Sequence, residues 1–193
     1  MVRFPLIALF ILPLVVAAAD KPAVIDFGAV EDQSVVEETA EPNALPAPPN
    51  KPRPSKKTLK PLIDRTAKQY GVERALVHAV VAAESAYNAH AVSHAGAIGL
   101  MQVMPETAAD YGVTDAKALF DPKVNVKTGT RHLKRLLGKY KNDYGRVIMA
   151  YNAGEGTVDR TNSNVTYAET LNYTAAVIRN YRRNGGKRPT EAA

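Results

Sequence analysis

Past Thr58, apolar residues recur every three or four positions, and no stretch sustains the every-second-residue alternation of a half-buried strand. That periodicity restricts the folded part of the chain to packed helices with at most a small hairpin. Leu59, Leu62, Ile63, Ala67 and Tyr70 make one apolar stripe, which Gly71 stops. Between Glu73 and Ala86, Leu76, Val77, Val80, Val81 and Ala83 cover much of a helix circumference, so that helix is expected to be largely buried. Asn88 to Gly99 is rich in Gly, Ala, Ser and His and reads as a loop, the place for the one hairpin. Pro105 suits the first turn of a helix reaching Tyr111. Asp121-Pro122 suits the cap and first turn of a longer helix carrying Val126, Leu133, Leu136, Leu137 and Tyr140. Arg146 to Tyr151 is a short apolar segment, broken over Asn152 to Gly156. A last helix from Glu169 to Arg182 presents Tyr173, Ala176, Val177 and Tyr181 before Gly185-Gly186 ends it. The fold class is mainly α.

The start of the chain has a different character. Residues 1–19 join Arg3, an apolar run from Phe4 to Val16 and the small residues Ala17-Ala18-Ala19, the layout of a signal peptide. The run is shorter than the roughly 20 residues that span a bilayer, and Pro5 and Pro13 interrupt it. The expected product is exported across the inner membrane, periplasmic or extracellular, and not an integral membrane protein once processed. Residues 20–57 read as a disordered tether. From Asp20 through Glu41, seven acids stand against Lys21 alone, and a Pro/Lys-rich half follows. Within the tether, Val24 to Phe27 could serve as a short partner-binding segment. Residues 58–185 form the expected domain and 186–193 a flexible tail.

None of the 193 residues is cysteine, which excludes disulfides and thiolate metal sites. The net charge of +6 would suit nucleic acid. An exported chain meets anionic wall polymers instead, so no nucleic acid partner is expected; a solvated basic surface is the plainer reading.

Glu84 is the residue that most invites a chemical reading. It lies near the end of the apolar stretch AVVAAESA, where desolvation and the negative helix terminus both raise a carboxyl pKa. A glutamic acid protonated near neutrality can protonate a leaving glycosidic oxygen. Taken alone, a glutamate in such a place more often simply finds solvent or an arginine.

Its surroundings resemble the soluble lytic transglycosylase (SLT) family. Glu84-Ser85 matches the family's catalytic Glu-Ser pair, and Ala91-Val92-Ser93 with Gly96 to Pro105 matches its glycine-rich signature, followed by Thr107-Ala108. Asp121-Pro122, Asn125 and Gly129 fit the next stretch, Ala150 to Gly154 the third motif, and Glu169-Thr170 with Tyr173 the fourth. The resemblance runs over about residues 58–183 in the family's order. It implies a lysozyme-like domain with Glu84 as sole acid/base, no metal and no cofactor. Ser93, Gln102 and Met104 would line sugar subsites, Tyr151 and Asn152 would shape the cleft, and Tyr173 would hydrogen-bond near the carboxyl group. Four of these have a plainer alternative: core for Met104 and Tyr151, a turn cap for Asn152, loop backbone for Ser93. Tyr87 stands where the family usually has phenylalanine, and Ala89 and Ala168 where proline is common.

The implied reaction is non-hydrolytic cleavage of the MurNAc-GlcNAc β-1,4 bond of peptidoglycan glycan strands, giving 1,6-anhydromuramoyl ends. It would serve wall turnover, or local opening for a secretion, conjugation or flagellar apparatus reached through the tether, by a monomer. Two readings compete: a hydrolytic lysozyme-like muramidase, for which Glu106 or Asp110 would have to reach the cleft as second acid, and a non-catalytic wall-binding assembly module. His90 and His94 share i, i+4 spacing but lie in loop sequence with no completing ligand. His78 reads as core or cleft wall, and Lys134, Arg135, Lys139 and Lys141 as a solvated basic face.

Overall fold

α1 (Lys56–Tyr70) shows how local sequence sets the helix limits. The Ser55 hydroxyl accepts from the Thr58 amide at 3.2 Å, and Gly71, at φ 60°, closes the other end. Pro61 lies inside the helix and forgoes one backbone bond there. α2 (Arg74–Ser85) follows, then the short α3 (Pro105–Ala109) with proline in its first turn. α4 (Pro122–Lys139) is capped by Asp121, whose carboxylate accepts from the Lys123 amide at 2.7 Å and the Val124 amide at 3.3 Å. α5 (Tyr144–Ala153), α6 (Glu155–Arg160) and α7 (Ala168–Arg183) complete the set. This computed structural model describes residues 46–187. The expected signal segment, the Val24–Phe27 segment, most of the tether and most of the tail lie outside the described residues.

The layers follow from α2. Ala75 to Val81 are buried in unbroken succession, so the helix needs neighbours on every side. α7 packs along it most extensively and α1 flanks it, while α4 joins α1 to α5 and α5 lies on both α6 and α7. Leu59, Ile63, Leu76, Leu133, Leu136 and Ile148 are fully buried where these helices meet. His78, the one ionisable side chain in the buried run of α2, has both ring nitrogens engaged. They lie 2.9 Å from an Asp64 carboxylate oxygen and 3.0 Å from the Tyr87 hydroxyl. His78 is therefore a satisfied core residue, and the hydroxyl that sets Tyr87 apart from phenylalanine is satisfied with it.

Among the described residues no strand forms. The place expected for a hairpin holds two isolated antiparallel bridges, Val92 with Ile98 and Ile98 with Val103. Nor does any described helix have the length and apolarity to cross a membrane. Two elements were not foreseen. A 3-10 turn covers Ala116–Phe120. The expected break over 152–156 is confined to Gly154 (φ 81°, ψ 142°), after which α6 begins at once. α6 is held by contacts distant in sequence: Glu155 pairs with Arg135 at 2.7 Å and with Lys139 at 2.6 Å, and Asp159 with Lys139 at 2.6 Å.

Candidate active site

Glu84 occupies the last turn of α2, and the chain turns sharply just after it. Ala86 (φ 48°) and Tyr87 (φ 67°) both adopt the left-handed conformation, at roughly 1–2 kcal/mol each for non-glycine residues. Hydrogen bonds on both sides of the corner offset that cost. The Tyr87 hydroxyl meets His78, while the Ser85 hydroxyl donates to the Leu100 carbonyl at 2.8 Å and to Val81 at 3.2 Å. Ser85 thereby ties the end of α2 to the glycine-rich turn.

That turn is organised by Asn125, wholly buried in α4. Its amide nitrogen donates to the Ile98 carbonyl at 2.8 Å and the Leu119 carbonyl at 2.9 Å, and its oxygen accepts the Met101 amide at 2.8 Å. Gly99 (φ 77°) lies so close that a Cβ there would stand 2.6 Å from the Leu119 carbonyl oxygen. A Cβ on Gly129 would meet the Met101 sulfur at 2.6 Å, so α4 backs directly onto the turn.

Tyr173, from α7, donates its hydroxyl to the Glu84 carboxylate at 2.6 Å. The Glu84 side chain is half-buried in dense protein, and desolvation pushes its pKa from 4.5 up to about 7. The Tyr173 bond acts in the opposite direction and is the smaller influence. Burial and the nearby Glu84 charge hold the Tyr151 and Tyr173 hydroxyls well above the ordinary tyrosine range, so both remain hydrogen-bond donors.

This raised pKa has a consequence for stability. Between about pH 4.5 and 7 the native state keeps a proton on Glu84 that the unfolded chain has released. The unfolding free energy therefore falls as pH rises through that window, by about 3 kcal/mol in all. Denaturant titrations at pH 4.5 and pH 8 should show that loss for the wild type, superimposed on other titrations, and a correspondingly smaller one for Glu84→Gln.

The remaining sequence-predicted residues divide by what their polar atoms do. Tyr151, on α5, donates to the Met101 carbonyl at 2.9 Å and so braces the residue whose amide Asn125 accepts. The Ser93 hydroxyl accepts the Ala97 amide at 3.0 Å, the loop role that was its plainer alternative. Gln102, itself left-handed at φ 45°, donates its amide nitrogen to the carbonyls of Ala91 and Gly99, which leaves its side-chain oxygen for a ligand. Met104 is half-buried at the N-cap of α3 and is not among the side chains packed on the core. Asn152 is half-buried in the last turn of α5. Glu84 and Tyr173 are in direct contact, with Tyr151 near enough for its proton affinity to respond to Glu84.

Among the described residues, burial and Tyr173 are the two influences on the Glu84 proton, with no second carboxylate contributing. Asp64, Glu73, Glu155 and Asp159 are engaged by His78, by the Tyr144 and Tyr181 hydroxyls, and by the α4 cations. Glu106 and Asp110 are exposed. The described residues contain no group of three or more His, Asp or Glu placed to hold a metal ion, and the His90 ring stacks edgewise on Phe120. The organising roles of Ser85 and Asn125 are not visible in sequence spacing, although both fall inside the motifs.

A family model described as the transglycosylase SLT domain matches residues 61–174. Membrane-bound lytic murein transglycosylase C of Sodalis glossinidius is 40% identical over 114 residues, 51% of this chain and 32% of that protein. The 70 kDa soluble lytic transglycosylase of Escherichia coli superposes with a TM-score of 0.61 at 29% identity, over 67% of this chain and 25% of that one. Lytic transglycosylase Slt of Pseudomonas aeruginosa gives 0.60 at 25% identity, over 68% and 25%. The chain spans about a third of the length of the curated relatives it matches.

Proposed function

Because the chain belongs to the transglycosylase SLT domain family, we propose that it is a peptidoglycan lytic transglycosylase with Glu84 as its single acid/base. The supporting observation is a carboxyl group raised to about pKa 7 and hydrogen-bonded by Tyr173, on which no second carboxylate acts among the described residues. Conventional glycosidases place two carboxyl groups about 5–5.5 Å apart to retain configuration or about 6.5–9.5 Å apart to invert it. Here one group serves both halves of the reaction in turn.

Protonated Glu84 gives its proton to the glycosidic oxygen as the C1–O bond of the muramoyl residue breaks, and the bonding electrons leave with the GlcNAc hydroxyl. The substrate's own N-acetyl oxygen shares the positive charge at C1. The Glu84 carboxylate then accepts the O6 proton while O6 bonds to C1. The product is a 1,6-anhydromuramoyl end, no water enters, and Glu84 is again protonated. Tyr173 steadies the carboxylate between the two transfers. Ser93, Met104, Asn152 and the free oxygen of Gln102 contact the sugars, and Tyr151 keeps the turn beneath them in place.

The reading places the enzyme outside the inner membrane, as a monomer acting on glycan strands in wall turnover or in local opening for a secretion, conjugation or flagellar apparatus engaged through the tether. Mass spectrometry of digested peptidoglycan tests the chemistry. Muropeptides one water lighter than hydrolysis products are expected, whereas reducing muramoyl ends would make the chain a hydrolase.

Tyr173→Phe separates the proposed role of Tyr173 from simple packing. Its hydroxyl lowers the Glu84 pKa, so its removal should raise that pKa above about 7. The alkaline limb of the pH–rate profile should move to higher pH while kcat falls. An unmoved limb with reduced kcat would assign Tyr173 to packing alone.

A further inference from the structure

The chain reverses immediately after the catalytic helix turn, and it does so through an unfavourable backbone. Ser85 to Asn88 form a turn closed by the Asn88 amide on the Ser85 carbonyl at 2.9 Å. Its two central residues, Ala86 and Tyr87, both have positive φ, 48° and 67°, as in a type I′ turn. Such turns favour Asn and Gly at these positions, and neither stands here. A strained turn persists only where its surroundings hold it, and strain of this kind gathers at functional sites.

A relay of polar side chains from two helices holds it. Tyr87 is buried, and its hydroxyl lies 3.0 Å from His78 Nδ1 on α2. His78 Nε2 lies 2.9 Å from an Asp64 carboxylate oxygen on α1. A carboxylate only accepts, so Nε2 carries the proton, and Nδ1 of the neutral ring accepts the Tyr87 O–H. Two cations complete the surroundings: Arg74 pairs with Asp64 at 3.7 Å, and Lys56 Nζ lies 4.4 Å from the centre of the Tyr87 ring. Glu84 stands three residues before Tyr87, in the last turn of α2, so the course of this corner sets where its carboxyl group lies. That carboxyl is held to α7 by the Tyr173 hydroxyl at 2.6 Å, with Tyr151 of α5 also within electrostatic reach. Through the corner, it is held to α1 as well.

We infer that Tyr87 is a positioning residue for the reaction: through His78 and Asp64 it locks the strained corner behind Glu84 and so keeps that carboxyl group buried against Tyr173. This rests on the reading of Glu84 as the acid/base. A corner released from His78 relaxes toward ordinary backbone angles, loosens the last turn of α2 and admits water to the carboxyl group.

The test follows Glu84 itself, in the full chain. Tyr87→Phe removes only the hydroxyl that His78 receives. It should lower kcat on glycan strands about tenfold, because a small displacement of the reacting acid is costly, and leave KM unchanged, because Tyr87 is buried. Water at the carboxyl group should bring the Glu84 pKa below about 7. The alkaline limb of the pH–rate profile then moves to lower pH, the reverse of the shift expected for Tyr173→Phe. Asp64→Ala, at a half-buried position that exerts no direct influence on the Glu84 proton, should move the limb the same way. A wild-type limb in either folded variant would overturn the inference, whether or not kcat falls, and would leave Tyr87 a support for the fold alone. Should Tyr87→Phe misfold by circular dichroism, Asp64→Ala decides. Carbon-13 NMR titration of the Glu84 carboxyl group needs no turnover. An unmoved midpoint in Tyr87→Phe overturns the inference even if no strand is cleaved, whereas absence of cleavage by the wild type overturns the glycan-cleaving reading.

Discussion

Glu84→Gln is expected to lower turnover of peptidoglycan by about 10⁴-fold, the upper end of what general acid–base catalysis contributes, with little change in affinity for glycan strands. That magnitude follows from a single group handling two proton transfers. Glutamine matches glutamic acid in size and can still accept the Tyr173 hydroxyl bond seen at 2.6 Å. It has no proton to give the glycosidic oxygen and cannot take one from O6. The comparison with Glu84→Asp is informative, because aspartate keeps the chemistry but shortens the reach by one methylene, and transfer depends steeply on position. A loss on the order of 10²-fold is expected there. Both variants should fold, and glutamine should raise stability above pH 7, where the wild type carries a desolvated charge pushed up to about pKa 7. Steady-state release of soluble muropeptides, with denaturant titration alongside, checks both parts. Near-wild-type turnover by Glu84→Gln would move the acid elsewhere.

The second large effect concerns folding. Asn125→Ala should destabilise the domain by about 5 kcal/mol, because it strands three buried backbone groups at roughly 1–3 kcal/mol each. Those groups are the Ile98 and Leu119 carbonyls and the Met101 amide, all bonded by one side chain that is 0% exposed. The loss is a large part of the roughly 5–15 kcal/mol typical of a domain, and it corresponds to a fall in melting temperature of more than about 10 °C. Asn125→Asp should do no better, since it keeps the acceptor for Met101, loses both donors and buries a charge. Asn152→Ala, in a half-buried position at the end of α5, should stay within about 1 kcal/mol. Thermal melts of the three variants at one pH establish the order. If Asn125→Ala and Asn152→Ala melt together, the turn is not held as described.

These two residues also show which features the sequence makes legible. The apolar setting of Glu84 could be read directly from AVVAAESA, while only the motifs around it told against a carboxylate that finds solvent or an arginine. Helix limits were equally accessible where a cap is local, as at Ser55, Gly71 and Asp121. Asn125 fell inside a recognised motif, yet nothing in its spacing says that its amide reaches back 24 to 27 residues to the glycine turn. The same limit applies to α6, whose acids are fixed by Arg135 and Lys139 on another helix. Ser93 could serve a ligand or the loop, and only the fold shows that the loop takes up its hydroxyl and the amide nitrogen of Gln102 as well. Pairings across helices are set by packing, which a periodicity does not encode.

Whether Glu84 alone cleaves the strand without water is tested most directly by digestion in heavy-oxygen water. Purified peptidoglycan would be digested to completion by the chain in that solvent, and the new muramoyl ends measured by mass spectrometry. Anhydro ends carrying no solvent oxygen are the expected result, absent when Glu84→Gln replaces the wild type. One heavy oxygen at C1 for every bond cleaved would contradict the single-glutamate mechanism, and would require a second group to activate that water.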